Sequence, residues 1–164
     1  MTLEDAPAPE HLAAYARAPD DALAQFLEAA VERARAAGEA AALRVSASHT
    51  FGLACPCGEP AMLVGVAYNW DVVDLACGGC GREAALYDPT RHGRLGSRGR
   101  NDYARPPFEA VPYGCMCRMM LFEPAVLLGY EADAEGAQDF SWLVAGGRCA
   151  ACGVHNLIHD AACA

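Results

Sequence analysis

The chain has 164 residues, 54% of them hydrophobic, and a formal net charge of −9 at pH 7. An acidic surface repels phosphate, so nucleic acid is disfavoured as a partner. No apolar run in the sequence approaches the length of a bilayer span, so we expect no membrane partner. The opening residues, MTLEDAP, lack the basic and apolar regions of a secretory signal, and we therefore expect a cytoplasmic location.

Residues 1–46 are predicted to form a helical segment. A start signal stands at residues 19–21, because acidic side chains are favoured at the positive end of the helix dipole. Apolar residues then recur at helical spacing over residues 23–34, and Gly38 suits the end of the helix. A shorter helix is predicted over residues 9–18.

Two sets of strands are predicted after the helical segment, since short apolar runs are separated there by turn residues. The first set covers residues 61–68, 72–76 and 84–87. The second set covers residues 125–130, 140–145 and 156–159. Each set therefore has the form of a hairpin followed by one further short strand.

Eight of the nine cysteines form a pattern that occurs twice, a CxC pair followed by a CxxC pair. The first set is Cys55, Cys57, Cys77 and Cys80, and the second is Cys115, Cys117, Cys149 and Cys152. Two short turns that each offer two sulfurs are a typical way to surround a tetrahedral ion. We therefore predict two structural Zn²⁺ ions per chain, each held by four thiolates of one repeat; the alternative is a cross-braced arrangement in which each ion takes knuckles from both repeats.

The duplication extends beyond the cysteines. Residues 77–88 align without a gap with residues 149–160, and residues 59–65 parallel residues 123–129. We interpret this as an internal repeat whose second copy has longer loops. Pieces of about 40 residues rarely bury enough surface to fold unaided, so each half is expected to depend on its ion.

The two repeats resemble the zinc ribbon superfamily, in which two cysteine turns at the ends of β-hairpins, called knuckles, clamp one structural zinc. The CxxC knuckles, each followed by a glycine, carry the resemblance, whereas the first knuckles are CxC instead of the usual CxxC. With the helical segment, the resemblance implies an α+β fold: a short N-terminal helical segment followed by two duplicated zinc-ribbon-like small β units. The implied divisions are residues 1–46 for the helical segment, 47–90 for zinc ribbon 1, 91–108 for an Arg/Gly-rich linker and 109–164 for zinc ribbon 2.

Other interpretations of the metal-ligating residues remain open. Four thiolates also hold a single iron or an iron–sulfur cluster, whereas disulfides suit neither a cytoplasmic protein nor an odd cysteine count. Cys163 is left over as a spare thiol. His155 and His159 have the spacing of an HExxH zinc site, but Asn156 stands where the general base is required, so ordinary histidines are the better interpretation.

Two charged segments are candidate partner sites. The acidic loop, which the first repeat lacks, offers Glu131, Asp133, Glu135 and Asp139 to a basic partner. The Arg91–Arg105 segment offers candidate nucleic-acid contacts at Arg91, Arg94, Arg98 and Arg100. The simpler account of these arginines is a solvated linker that offsets the charge of acidic ribbons.

The sequence contains no GxSxG, P-loop or GxGxxG motif, and a complete four-cysteine set leaves no open position for a catalytic zinc. We therefore expect no enzyme but a zinc-binding protein-interaction module, an adaptor or an inhibitor or immunity-type binder of a basic partner. The alternatives are a nucleic-acid-binding zinc ribbon that uses the Arg91–Arg105 segment and an enzyme of unrecognised type. A continuous basic face would favour nucleic acid, and arginines that face acidic ribbons would favour the protein partner.

Overall fold

The structure is a computed structural model that describes residues 7–100 and 109–163. The strands are β1 (Ala16–Arg17), β2 (Ala47–Leu53), β3 (Met62–Ala67), β4 (Val72–Cys77), β5 (Glu83–Tyr87), β6 (Val111–Pro112), β7 (Leu121–Tyr130), β8 (Trp142–Cys149) and β9 (His155–Ala162). The helices are α1 (Asp21–Ala36), α2 (Ala40–Arg44) and α3 (Gly93–Ser97). None of the described helices is long and apolar enough to span a bilayer.

The predicted α+β fold class is wrong, because the described chain is mostly β. α1, with 16 residues, is the only described helix longer than five residues. The strands join one antiparallel sheet in the order β1-β2-β7-β3-β4-β5, with β6 beside β3 and with β8 and then β9 on the other side of β7. Backbone pairing between distant segments thus replaces the two small β units expected after a helical segment.

α1 begins where the sequence predicts a helix. The Asp20 side chain accepts a hydrogen bond of 2.9 Å from the Leu23 N–H and so caps the first turn. The helix predicted over residues 9–18 is wrong, because this segment contains only a 3₁₀ turn at Glu10–Leu12 and the short strand β1.

The strand register shows how closely the two repeats correspond. Met62 of β3 lies opposite Cys77, and Phe122 of β7 lies opposite Cys149. The third strands match as well, because β5 and β9 each carry one extra residue at corresponding positions, opposite Val73/Asp74 of β4 and Ala145/Gly146 of β8. Phe122 is therefore the counterpart of Met62. This corrects the expected alignment of residues 59–65 with 123–129, which is displaced by four positions.

The first strand of each repeat pairs with the other repeat. β2 of the first repeat pairs with β7 of the second, with Gly52 opposite Ala125. β6 of the second repeat pairs in the same way with β3 of the first, with Pro112 opposite Gly65. Between these contacts β3 and β7 meet directly at Met62 and Phe122. The exchange is reciprocal, as in a two-fold symmetric dimer, although it occurs within one chain.

The sheet has a core on each face. One face buries a large cluster that includes Met62 and Phe122, both fully buried, together with the inner cysteines of both repeats. On the opposite face α1 packs Leu27 and Val31 against β7 and β8. α1 can approach closely because β8 has a glycine beneath it: a Cβ at Gly146 would lie 2.7 Å from the Leu27 Cδ2 atom.

Candidate metal centres

The structure brings together the two cysteine sets that the sequence predicts. In the first set the Sγ atoms of Cys55 and Cys80 are 3.6 Å apart, as are those of Cys57 and Cys77. In each set all four sulfurs lie within 4.8 Å of one another, and neither set mixes the two repeats. Four ligands at a Zn–S distance of about 2.3 Å place tetrahedral sulfurs about 3.8 Å apart. Each set could therefore hold one metal ion.

The second set has nearly the same geometry. The Sγ atoms of Cys115 and Cys152 are 3.6 Å apart, and those of Cys117 and Cys149 are 3.5 Å apart. In both sets two of the four cysteines are buried and two are exposed. Each site is therefore anchored in the core on one side and open to solvent on the other.

The CxC turns form the first knuckle of each site. The Cys55 N–H donates to the Glu59 carbonyl at 3.2 Å, and the equivalent Cys115 N–H donates to the Met119 carbonyl at 2.8 Å. The tight turn requires a left-handed residue, which is Gly58 (φ 94°) in the first repeat and Arg118 (φ 74°) in the second. A left-handed conformation costs a non-glycine residue about 1–2 kcal/mol. The second site therefore carries backbone strain that the first avoids.

The CxxC turns form the second knuckle and direct backbone N–H groups at the sulfurs. The Cys80 and Gly79 N–H groups donate to Cys77 Sγ at 3.4 and 3.3 Å. The Cys80 N–H, with that of Gly79, lowers the pKa of the Cys77 thiol to about 6, although burial opposes this shift. The N–H groups after Cys149 likewise lower its pKa to about 6. Both cysteines are thereby favoured as thiolates, the form that binds metal.

One contact at the second site was not predicted from the sequence. The Asn156 side-chain amide lies 3.8 Å from Cys115 Sγ and donates a 3.0 Å hydrogen bond to the Val154 carbonyl. The first repeat has Ala84 at the corresponding position of β5. The alignment of the repeats shows the change from Ala84 to Asn156 but not the contact, which depends on β9 passing beside the first knuckle.

The two candidate metal sites share four adjacent strands. Cys77, Met62, Phe122 and Cys149 lie opposite one another in succession across β4, β3, β7 and β8. Three strand spacings of about 4.8 Å place Cys77 and Cys149 about 14 Å apart. Both candidate centres thus lie on the same four adjacent strands of the sheet.

The histidines and the ninth cysteine lie apart from these sites. The His159 Nε2 atom is 2.9 Å from Asp71 Oδ1, and the His155 ring packs on Phe26. Among the described residues, only the two cysteine sets form a group of three or more side chains that could hold a metal. Cys163 is buried, and burial raises the pKa of its thiol to about 12.

The arginine segment and the acidic loop contact each other. Arg94 of α3 pairs with Glu131 at 3.0 Å and with Asp133 at 2.5 Å. Arg98 pairs with Asp139, whose side chain is only 7% exposed. The Arg94 guanidinium lowers the pKa of the Asp133 carboxyl through their hydrogen bond. Two segments that the sequence offered as alternative partner sites are thus joined by ion pairs.

The other residues of these two segments are less enclosed. Arg91 and Arg100 are exposed. The Glu135 side chain is 83% exposed and lies 3.9 Å from Arg98. Residues 101–108, including Arg105, lie outside the described residues. Within residues 91–100 the arginines therefore form no continuous basic face, because Arg94 and Arg98 point at carboxylates.

Comparisons with protein-family models, curated proteins and solved structures find no match to this chain.

Proposed function

We propose that this protein is a non-catalytic protein-interaction module, built around two structural zinc ions, that binds a basic partner protein. The observation that carries the proposal is the ion pairing of Arg94 and Arg98 with the acidic loop. These ion pairs engage two guanidinium groups that a nucleic-acid interface would need for phosphate contacts. The same pairs occupy Glu131, Asp133 and Asp139, so a basic partner would be attracted by carboxylates outside the acidic loop, where most of the Asp and Glu residues behind the net charge of −9 lie.

Zinc is the metal that best fits the cysteine sets. Soft thiolates in a tetrahedral arrangement suit zinc or iron, and a zinc tetrathiolate serves as a structural centre. Four protein ligands at each centre leave no position for a water or a substrate, which supports a structural role over a catalytic one. The fold around each site, a CxC knuckle, a hairpin, a CxxC knuckle and a further strand, supports the resemblance to zinc ribbons.

The charge supports a basic partner. The chain carries −9 before any metal binds. A zinc ion with four ionised thiolates adds about −2 at each site, which brings the loaded protein to about −13. Such a surface accelerates association with a basic protein and repels nucleic acid. An adaptor, or an inhibitor of immunity type, would use these properties.

Metal analysis and affinity capture test the two parts of the proposal. We expect two zinc ions per chain; an iron absorption spectrum would contradict the choice of zinc. The zinc-loaded protein should capture a basic protein from its native host, with an association rate that falls as salt is added.

Titration with DNA and RNA at physiological salt tests the nucleic-acid alternative. Submicromolar binding that is lost when Arg91 and Arg100 are replaced by serine would overturn the proposal. We expect no such binding. The matched control replaces the exposed Arg17 and Arg33, which removes the same charge from another surface.

A further inference from the structure

A groove of about 600 Å³ lies on the outer face of the first repeat, over β3, β4 and β5. Its apolar lining includes Leu63, Gly65, Ala76, Ala85, Ala110 and Pro112. Three carboxylates, those of Asp74, Glu83 and Glu109, also line it. The lining contains no residue of α1, α2 or α3.

The equivalent face of the second repeat is known from the strand register. Two cross-strand pairs fix the correspondence: Gly65↔Asp74 corresponds to Ala125↔Gly146, and Ala76↔Glu83 corresponds to Arg148↔His155. The groove of the first repeat is therefore the counterpart of the outer face of β7, β8 and β9.

That second face is covered by a helix. α1 packs Leu23, Leu27 and Val31 against Ala125 and neighbouring apolar residues of β7 and β8. The Phe26 ring extends over β9 to the His155 ring, with 5.5 Å between centroids. The outer face of β7, β8 and β9 is thus covered by α1 of the same chain. The corresponding face of β3, β4 and β5 is covered by no helix from residues 7–100 or 109–163.

We infer that the outer face of β3, β4 and β5 is a docking site for an amphipathic basic helix of the partner protein, which would lie there as α1 lies on the second repeat. The inference rests on the proposed function and names the surface and the kind of segment that is bound. Small side chains on the floor, such as Ala76 and Ala85, allow a helix to approach closely, as Gly146 does for Leu27.

The charge of the groove determines the chemistry of the helix. Glu83 and Glu109 are exposed on its rim and form no ion pair with another described residue. A docking helix should therefore present alanine or leucine to the floor and lysine or arginine to the rim.

The test uses the zinc-loaded full chain and a synthetic 18-residue amphipathic helix of leucine, alanine and lysine. Its control is the same peptide with glutamate in place of each lysine. We expect the lysine peptide alone to bind and to shift the amide NMR signals of Ala76 and Ala85. Shifts confined to the knuckles or to α1 would overturn the inference.

Substitutions in the groove sharpen the test. Ala85→Arg should weaken peptide binding at least tenfold, because it fills the groove and adds like charge. Glu83→Gln with Glu109→Gln should weaken it about fivefold. Glu28→Gln with Glu39→Gln removes the same charge from the α1 side and should change the affinity less than twofold. Equal losses in the two double variants would show unspecific attraction and overturn the inference.

Two other occupants of the groove would also be detected. A concentration-dependent dimer that Ala85→Arg dissociates would assign the groove to a second copy of the chain. Peptide binding that appears only after residues 101–108 are replaced by a Gly-Ser linker of equal length would assign it to the chain's own segment. Either result overturns the inference.

Failure of the inference and failure of the proposed function are distinguishable. If the Ala85→Arg protein, with unchanged zinc content and circular dichroism, still captures the native partner, then the partner binds elsewhere and only the groove assignment fails. If the parent captures no protein from its host while the lysine peptide binds in the groove, then the proposed function is what fails.

Discussion

Met62 and Phe122 lie opposite each other where β3 meets β7, and each also lies opposite the first cysteine of its own CxxC turn. Both side chains are fully buried in the same core. We therefore expect a change at one candidate metal site to affect the other through these two buried side chains. The two centres should stabilise the protein as one unit.

Replacing Cys80 by serine should destabilise both repeats together. A hydroxyl is a poor ligand for zinc, and the shared sheet couples the loss of one ion to the other half. We expect the melting temperature to fall by more than about 10 °C, in a single calorimetric transition. Cys163→Ser, a buried cysteine outside both sets, is the control and should retain two zinc ions. Two separate transitions, one of them unchanged, would contradict the coupling.

Replacing Arg118, the residue with left-handed backbone geometry in the second CxC turn, by glycine should stabilise the protein. Arg118→Gly removes backbone strain, partly offset by the greater freedom of glycine in the unfolded chain, so we expect a gain of about 0.5–1 kcal/mol. The reverse change, Gly58→Ala, should cost about 1 kcal/mol. Urea unfolding of the zinc-loaded proteins measures both effects. Gly114→Ala, where φ is not positive and no atom lies within 4 Å of an added Cβ, should not destabilise the protein.

Removing Arg94 should destabilise the contact between α3 and the acidic loop. Arg94→Gln leaves Glu131 and the buried Asp139 with less positive charge beside them, and breaking an enclosed ion pair is costly. We expect the melting temperature to fall by about 5 °C. The matched variant Arg100→Gln, at an exposed position, should change it by less than about 1 °C. Equal effects would show that only net charge matters.

Stability should decrease in mildly acidic solution because of His92. The pKa of His92 is lowered to about 4, mainly by burial and further by the charges of His11 and Arg91. In the unfolded chain the pKa is about 6.5. Between these values the unfolded chain binds a proton that the folded chain does not, so stability falls as the pH drops from 6.5 towards 4. After allowance for solvent screening, the loss is at most about 2 kcal/mol.

The variant His92→Gln isolates this contribution. Glutamine keeps an acceptor for the Asp88 N–H, which donates to His92 Nδ1 at 3.0 Å. Loss of metal at low pH affects the parent and the variant alike, so the difference between their urea unfolding curves at pH 7.5 and 5 reports on the histidine. Parallel pH dependence in the two proteins would show that His92 does not contribute.

The local parts of the structure were predictable from the sequence, because their signals are local. The cap at Asp20, the periodicity of α1 and the spacing of the eight cysteines each depend on a few neighbouring residues. The six strands predicted around the cysteines are present, with shifted ends.

The pairing between repeats could not be predicted in the same way. The sequence analysis did not predict β2. The pairing of β2 with β7 joins residues far apart in the chain, and no local sequence pattern specifies its register. The same holds for Arg94 and Arg98: their charge was evident, but the carboxylates that they contact lie far along the chain. The strand pairing and the ion pairs therefore depend on backbone and charge complementarity between residues that are far apart in the chain.

The strand exchange also determines when the protein can fold during its synthesis. Ser46, just before β2, donates its hydroxyl hydrogen bond to the Tyr130 carbonyl, 84 positions further along the chain. At about 5–20 residues per second, a ribosome needs several seconds to extend the chain over that distance. During this interval β3, an apolar strand, lacks its β7 neighbour and exposes an edge that can pair with other chains. The first half of the nascent chain therefore passes through an aggregation-prone stage before the second half emerges to complete its sheet.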